Sequence, residues 1–109
     1  MKQIKTSELQ GMALDYCVAQ CEELSTWQDS SQILIVGDDC PFHPSSDWSQ
    51  GGPIIEREGF SVSKGNKGWS VTNPWECIIM FGSTPLDAAM RCYVASKLGD
   101  VVSVPDEIV

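Results

Sequence analysis

Three groups of residues in this 109-residue chain have the types and spacing to do chemistry. The first is Asp47-Trp48-Ser49-Gln50-Gly51-Gly52-Pro53. Trp48 offers a flat face to a base or ring. Asp47 can accept from a ribose hydroxyl, and Gln50 can both donate and accept. Gly51 and Gly52 let backbone N–H groups approach a ligand closely. The alternative is an ordered loop in which Trp48 plugs the core and the glycines make a turn. The second group is Gly82-Ser83-Thr84-Pro85, ahead of a helical pattern. A helix N-terminus attracts anions through its free N–H groups and its dipole, and Ser83 and Thr84 add hydroxyl donors. The same residues are also an ordinary capping sequence, and no Walker or dinucleotide glycine pattern accompanies them. The third group is Arg57 and Arg91, the only two arginines, each next to one of the other groups. Arginine grips phosphate or carboxylate through paired hydrogen bonds. The competing reading is a surface ion pair with one of the 15 carboxylates, which is worth little.

A metal site is the sharpest alternative. Cys17 and Cys21 are one helical turn apart, and Cys40-Pro41-Phe42-His43 is a C-x-x-H pair. Cys17, Cys21, Cys40 and His43 together could close a zinc site. Cys17 and Cys21 also fit the apolar pattern of their helix, and His43 is the only histidine. No metal or cofactor is therefore assigned. No G-x-S-x-G or H-E-x-x-H motif is present. Cys40 and His43 lack a visible orienting group, so no catalytic residue is assigned and a non-enzymatic protein is expected.

The bulk properties narrow the class. Hydrophobic residues make up 42% and charged residues 20%, as in a globular protein, and the length suits one domain spanning 1–109. The net charge is −8, with no basic run, which argues against direct DNA binding. The acidic surface reads chiefly as a solubilising one. The five cysteines are odd in number, and the N-terminal residues carry no signal-peptide pattern. The apolar runs are too short to span a membrane. These features predict free thiols in a reducing cytoplasm and no membrane association.

The elements that must position these residues follow from the patterning. A helix is expected over 7–24, with Ser7 and Gln10 at capping-box spacing and Leu9, Ala13, Tyr16, Cys17 and Leu24 on its buried stripe. Residues 25–32 read as a polar loop, 33–36 as a strand and 37–53 as a long irregular stretch. Strands are expected at 54–58 and 60–62, with Gly59 as a bulge between them. A hairpin turn at 64–68 leads to a strand at 69–72, with Trp69 and Val71 on one face. Residues 77–81 are apolar on both faces and read as a central strand. The second helix, 84–98, has Thr84 as its cap, Pro85 at its first position and Gly99 as its stop. Its expected stripe is Leu86, Ala89, Met90, Tyr93, Val94 and Leu98. The tail, 101–109, is expected to pair at an edge. The fold class is α+β: one small antiparallel sheet of four to five short strands on two helices, about 7–24 and 84–98.

Three blocks carry a family resemblance. The first is Lys5-Thr6-Ser7-Glu8-Leu9-Gln10-Gly11, with Ala13-Leu14-Asp15-Tyr16 and Val18-Ala19 after it. The second is Pro44-Ser45-Ser46-Asp47-Trp48-Ser49-Gln50-Gly51-Gly52-Pro53-Ile54-Ile55-Glu56. The third runs from Thr84-Pro85-Leu86 through Ala88-Ala89-Met90-Arg91 and Val94-Ala95-Ser96-Lys97-Leu98-Gly99-Asp100 to Val104-Pro105-Asp106-Glu107. In this order they resemble the NinX-like proteins of lambdoid and other tailed bacteriophages. The resemblance implies an early-expressed phage accessory protein acting in the host bacterial cytoplasm, and it implies no particular chemistry. Residues 20–43 and 59–81 match no family pattern.

Joined to the residues above, this gives a concrete expectation. The chain would be a homo-oligomer that sequesters a nucleotide-derived immune signal, ADP-ribose-like or a cyclic nucleotide. Asp47, Trp48, Gln50, Gly51, Gly52, Arg57, Ser83, Thr84 and Arg91 would hold it. A ligand of about 36 heavy atoms at ~0.3 kcal/mol each reaches roughly −11 kcal/mol, close to nanomolar. The alternative is a protein–protein inhibitor or adaptor that presents Trp27, Trp48 or Trp75 to a basic host factor. A zinc-stabilised module is the third reading.

Overall fold

The structure is a computed structural model and describes residues 2–29, 32–35, 40–74 and 78–108. In chain order the elements are β1 (Lys2–Lys5), α1 (Gly11–Cys21), β2 (Thr26–Asp29), β3 (Gln32–Ile35), β4 (Cys40–Pro41), α2 (Trp48–Glu58), β5 (Ser61–Gly65), β6 (Gly68–Thr72), β7 (Ile79–Gly82), α3 (Pro85–Leu98) and β8 (Val101–Val104). The architecture is α+β. Among the described residues the strands form three small antiparallel sheets rather than one: β1–β8, β2–β3–β4 and β5–β6–β7. No helix among these residues is long and apolar enough to cross a membrane.

Helix α3 organises the rest, and its limits follow from its end residues. The Thr84 hydroxyl accepts from the Asp87 backbone N–H at 3.1 Å, and Pro85 occupies the first turn, where its missing N–H costs nothing. Gly99 ends the helix at φ 93, a conformation that excludes most side chains. Leu86, Ala88, Ala89, Met90, Cys92, Tyr93, Val94 and Ala95 are all buried. They occupy more than one face because α1, α2 and the β5–β6–β7 sheet all pack on this helix. Leu98, expected in the stripe, is instead 44% exposed in the last turn. One continuous core joins α3 to Leu14, Cys17 and Val18 of α1, Ile33 of β3, Ile54 of α2, Val71 of β6, and Val102 and Val104 of β8.

Several expectations are corrected. Helix α1 starts at Gly11, not at residue 7, and ends at Cys21, not at 24. Thr6–Glu8 form a single 3-10 turn, Leu9 is extended, and Gly11 takes φ +59, which interrupts any helix running through from Ser7. The capping box is not formed, because Gln10 takes the cap position without a side-chain bond. Thr26–Asp29, expected as loop, pairs with Gln32–Ile35 as a hairpin.

The largest correction is α2. It occupies Trp48–Glu58, where an irregular stretch and then a strand were expected. Gly59 ends this helix in the left-handed region, at φ 71, rather than making a bulge. Among the described residues strand β7 is an edge strand bonded to β6, not a central one. The hairpin at 64–68 and the pairing of Trp69 and Val71 on one face match the reading from sequence. The tail pairs as expected, and its partner is β1, in register from Lys2↔Val104 to Lys5↔Val101.

Candidate functional site

The Trp-Gly-Gly segment is helical, and its polar groups brace the chain. Asp47 caps α2, accepting from the Ser49 N–H at 2.8 Å and the Ser49 hydroxyl at 2.6 Å. These bonds hold its carboxyl below the usual carboxylate range. Gln50 spends both ends of its amide on the preceding segment. Its Oε1 accepts from the His43 N–H at 2.7 Å and its Nε2 donates to the Pro41 carbonyl at 2.8 Å. Gly51 is buried where α2 meets the 44–46 turn and α3. A Cβ there would collide with the Pro44 carbonyl and lie 2.7 Å from Leu86 Cδ2. Gly52 has no such constraint, its nearest neighbour being Trp48 Cε3 at 3.6 Å. Trp48 does not plug the core and is 55% exposed.

The arginines are far apart in role. Arg57 pairs with Glu22 through two bonds, at 3.1 and 2.8 Å, and with Glu58 at 3.1 Å. It also donates to the Tyr93 hydroxyl at 3.0 Å, and that hydroxyl donates to Glu22 at 2.5 Å. Burial alone would raise the Glu22 carboxyl, but the bonds from Arg57 and Tyr93 outweigh it and hold it below its ordinary range. Burial and the bond to Glu22 push the Tyr93 hydroxyl up. This cluster joins the C-terminal ends of α1 and α2 to α3, so Arg57 is occupied by carboxylates. Arg91 is a clamp. Its Nε donates to the Leu9 carbonyl and its Nη1 to the Phe81 carbonyl, both at 2.6 Å. Among the described residues these bonds use two of its five N–H groups.

The described residues border two clefts. One, about 660 Å³, is lined by Met12, Asp15, His43, Ser45, Trp48, Thr84 and Asp87 among others. It unites Trp48 with the Thr84 helix start, as the sequence suggested, but its charge is wrong for an anion. Asp15 is buried on one wall, accepting from the Ser45 N–H at 3.0 Å, and burial pushes its carboxyl up. Asp87 lies on another wall. Ser83 lies outside this lining, with its hydroxyl on Asp87 at 3.4 Å.

The other cleft, about 720 Å³, is lined by Ser7, Gly65, Asn66, Lys67, Gly68, Trp69, Ser70, Phe81, Gly82 and Arg91. Both volumes suit small-molecule sites. Among the described residues this lining has two cations and no carboxylate, in a chain with 15 acidic residues. Lys64 stands next to it, its ammonium 5.8 Å from the Trp69 ring centre. Three of the seven basic residues therefore gather around one hairpin. Of this lining, the sequence reading had assigned only Arg91 to ligand binding. The lysines of Lys64-Gly65-Asn66-Lys67-Gly68 next to Trp69 were the available signal, and they were read only as a turn.

The nine residues singled out as ligand-binding are thus not brought to one place. Trp48 and Thr84 border the acidic cleft, Arg91 borders the basic one, and Arg57 borders neither. The four candidate zinc ligands do not converge either. Among the described residues no group of three or more His, Cys, Asp or Glu side chains could hold a metal ion. Cys17 is buried, with its thiol pushed up to about 11 by burial, and Cys21 is pushed up to about 12. Cys40 is exposed on β4, and the His43 ring nitrogen Nδ1 lies 3.4 Å from the Ser46 hydroxyl. Trp75 and Cys77 lie outside the described residues.

The sequence model of the bacteriophage P22 NinX family matches residues 5–97. The chain belongs to that family. The match runs through both clefts and all three helices, and it includes the 20–43 and 59–81 stretches that carried no visible pattern. A comparison with curated proteins finds no relative.

Proposed function

We propose that this phage protein is a non-enzymatic binder of a small anionic, ring-bearing ligand of the nucleotide class, held in the hairpin cleft. The observation that carries the reading is the composition of that cleft. Lys67 and Arg91 line it, Lys64 adjoins it, Trp69 and Phe81 supply aromatic surface, and among the described residues no carboxylate lines it, in a chain of net charge −8. A locally positive, aromatic cleft on an acidic protein suits a phosphate joined to a flat ring. In the setting implied by the family, the ligand is a nucleotide-derived signal of the infected bacterium, and binding removes it from the host cytoplasm. The site sits on the hairpin rather than on the Trp48 segment.

The test is calorimetric titration with ADP-ribose, ADP and a cyclic dinucleotide. At least one binds the native protein. Lys67→Glu weakens that binding roughly 10- to 100-fold, the equivalent of one charge-assisted hydrogen bond of ~1.5–3 kcal/mol. Trp48→Ala, on the other cleft, leaves it unchanged. If none of the three binds, or if Lys67→Glu binds as well as the native chain, the reading is wrong.

One observation favours a second reading. Trp48 stands exposed at the rim of a cleft that carries Asp15 and Asp87. A basic segment of a host protein fits that chemistry. In that case Trp48→Ala abolishes capture of the host protein and Lys67→Glu does not.

A further inference from the structure

The β5–β6–β7 sheet has two unlike faces. Strand register places Val62, Val71 and Met80 in one row, and Val71 is fully buried in the core with α3. The opposite face carries Ser61, Thr72 and Ile79 in one row and Ser63, Ser70 and Phe81 in the next. Helix α3 lies on the first face, and among the described residues no other helix or sheet packs closely on these strands. Ile79 is 52% exposed on the opposite face and Phe81 64%. Among the described residues this face carries no charge, although a fifth of the whole chain is charged.

Three arguments name what covers it. First, residues 77–81 are apolar on both sides, the pattern of a strand buried on both faces, yet Ile79 and Phe81 of β7 are more than half exposed. Second, the chemistry is self-complementary. Hydroxyls of Ser61, Ser63, Ser70 and Thr72 both donate and accept, so they can meet their own copies, whereas carboxylates cannot. Two copies of net charge −8 repel wherever their carboxylates meet, and an uncharged face avoids that cost.

Third, the outer edge of β7 is not free for strand pairing. Successive carbonyls of a strand point to opposite sides. The Ile78 carbonyl accepts from the Asn73 N–H, and the Gly82 carbonyl lies against Gly68, so both face β6. The Phe81 carbonyl therefore points to the open edge, where Arg91 already holds it. With that edge held by Arg91, β7 offers a second copy its face rather than its edge, as stacked sheets do.

We infer that a second copy of this chain covers the outer face of β5–β6–β7, through a symmetric contact centred on Ile79 and Phe81. Ile79 lies outside the hairpin cleft, whereas Phe81 and Ser70 line it, so the second copy sits beside the cleft; the test of the contact needs no ligand. The test is sedimentation velocity of the full chain at roughly 100 μM, about a hundredfold above a micromolar dissociation constant. The native protein sediments as a dimer. Ile79→Lys and Phe81→Lys each convert it to a monomer with an unchanged circular dichroism spectrum, because two-fold symmetry brings the new charges together. Leu98→Lys, at an exposed apolar position off this face, remains a dimer. A monomeric native protein, or an assembly that either sheet-face variant leaves intact, overturns the inference.

Discussion

Two carboxylates in this chain respond to pH in opposite senses, each for a reason visible in its contacts. Asp15 is buried and gains only the Ser45 bonds and the proximity of His43, with Asp87 working against it. Its folded carboxyl titrates above the unfolded value, so the folded state holds its proton longer. Stability from this group is present at low pH and is lost as pH rises through the raised value. Glu22 is the reverse. Arg57 and Tyr93 favour its charged form, so its contribution is present above the unfolded value and is lost as pH falls through the folded one. Urea unfolding across the acid-to-neutral range separates them. Asp15→Asn gains on the native protein as pH rises. Glu22→Gln loses on it as pH rises, by about 1–2 kcal/mol at neutrality for hydrogen bonds to a partly exposed charge. Parallel pH slopes for the two variants would show that these contacts do not govern titration. Neither role was legible in the sequence, because Asp15 meets Ser45 and Glu22 meets Arg57 and Tyr93 only after folding.

At the scale of the element, α2 shows why part of the fold escaped sequence reading. Gly51-Gly52-Pro53 is turn chemistry by composition, and proline inside a helix removes a bond to the turn before it. Against that stood one local signal, Asp47 three residues before Gln50, a helix-start pattern followed by buried positions Gly51 and Ile54 one turn apart. Tertiary contact decides between them, since only glycine fits between Pro44 and Leu86. The two glycines should therefore answer oppositely to alanine. Gly51→Ala forces the Pro44 carbonyl and α3 apart and costs about 1–3 kcal/mol. Gly52→Ala meets only ordinary contact and gains about 0.5–1 kcal/mol of helix propensity. Equal effects in chemical denaturation would mean that α2 is not seated as described. The capped ends of α3 were readable because Thr84, Pro85 and Gly99 act within one turn of where they stand. Strand β1 was not, because its partners lie about a hundred residues away, at Val101–Val104.

For the molecule as a whole, the −8 charge is a standing cost of compactness, and the named ion pairs offset little of it. Raising ionic strength from about 0.01 to 0.15 M shortens the screening length from ~30 to ~8 Å. The thermal midpoint should rise with it, by up to about 5 °C, equivalent to ~1 kcal/mol in a chain of this size. A falling midpoint would show that attraction between paired charges, not self-repulsion, dominates. Composition alone made this balance readable. The concentration of Lys64, Lys67 and Arg91 around one hairpin was not, because Arg91 arrives there from another element.

The pairing of β1 with β8 also sets an order of events. Lys2–Lys5 cannot find its partner until Val101–Val104 has been synthesised, so this is the longest loop the chain has to close. Until then the first strand waits with an unpaired edge on the nascent polypeptide. Its lysines, Lys2 and Lys5, are the residues that discourage such an edge from joining a neighbouring chain. Thr6 then fastens the late partner, donating its hydroxyl to the Gly99 carbonyl at 2.6 Å and its N–H to the Asp100 carbonyl at 2.8 Å. Pairing β1 with β8 thus carries a large loop-closure cost, and the Thr6 bonds hold the closed loop together.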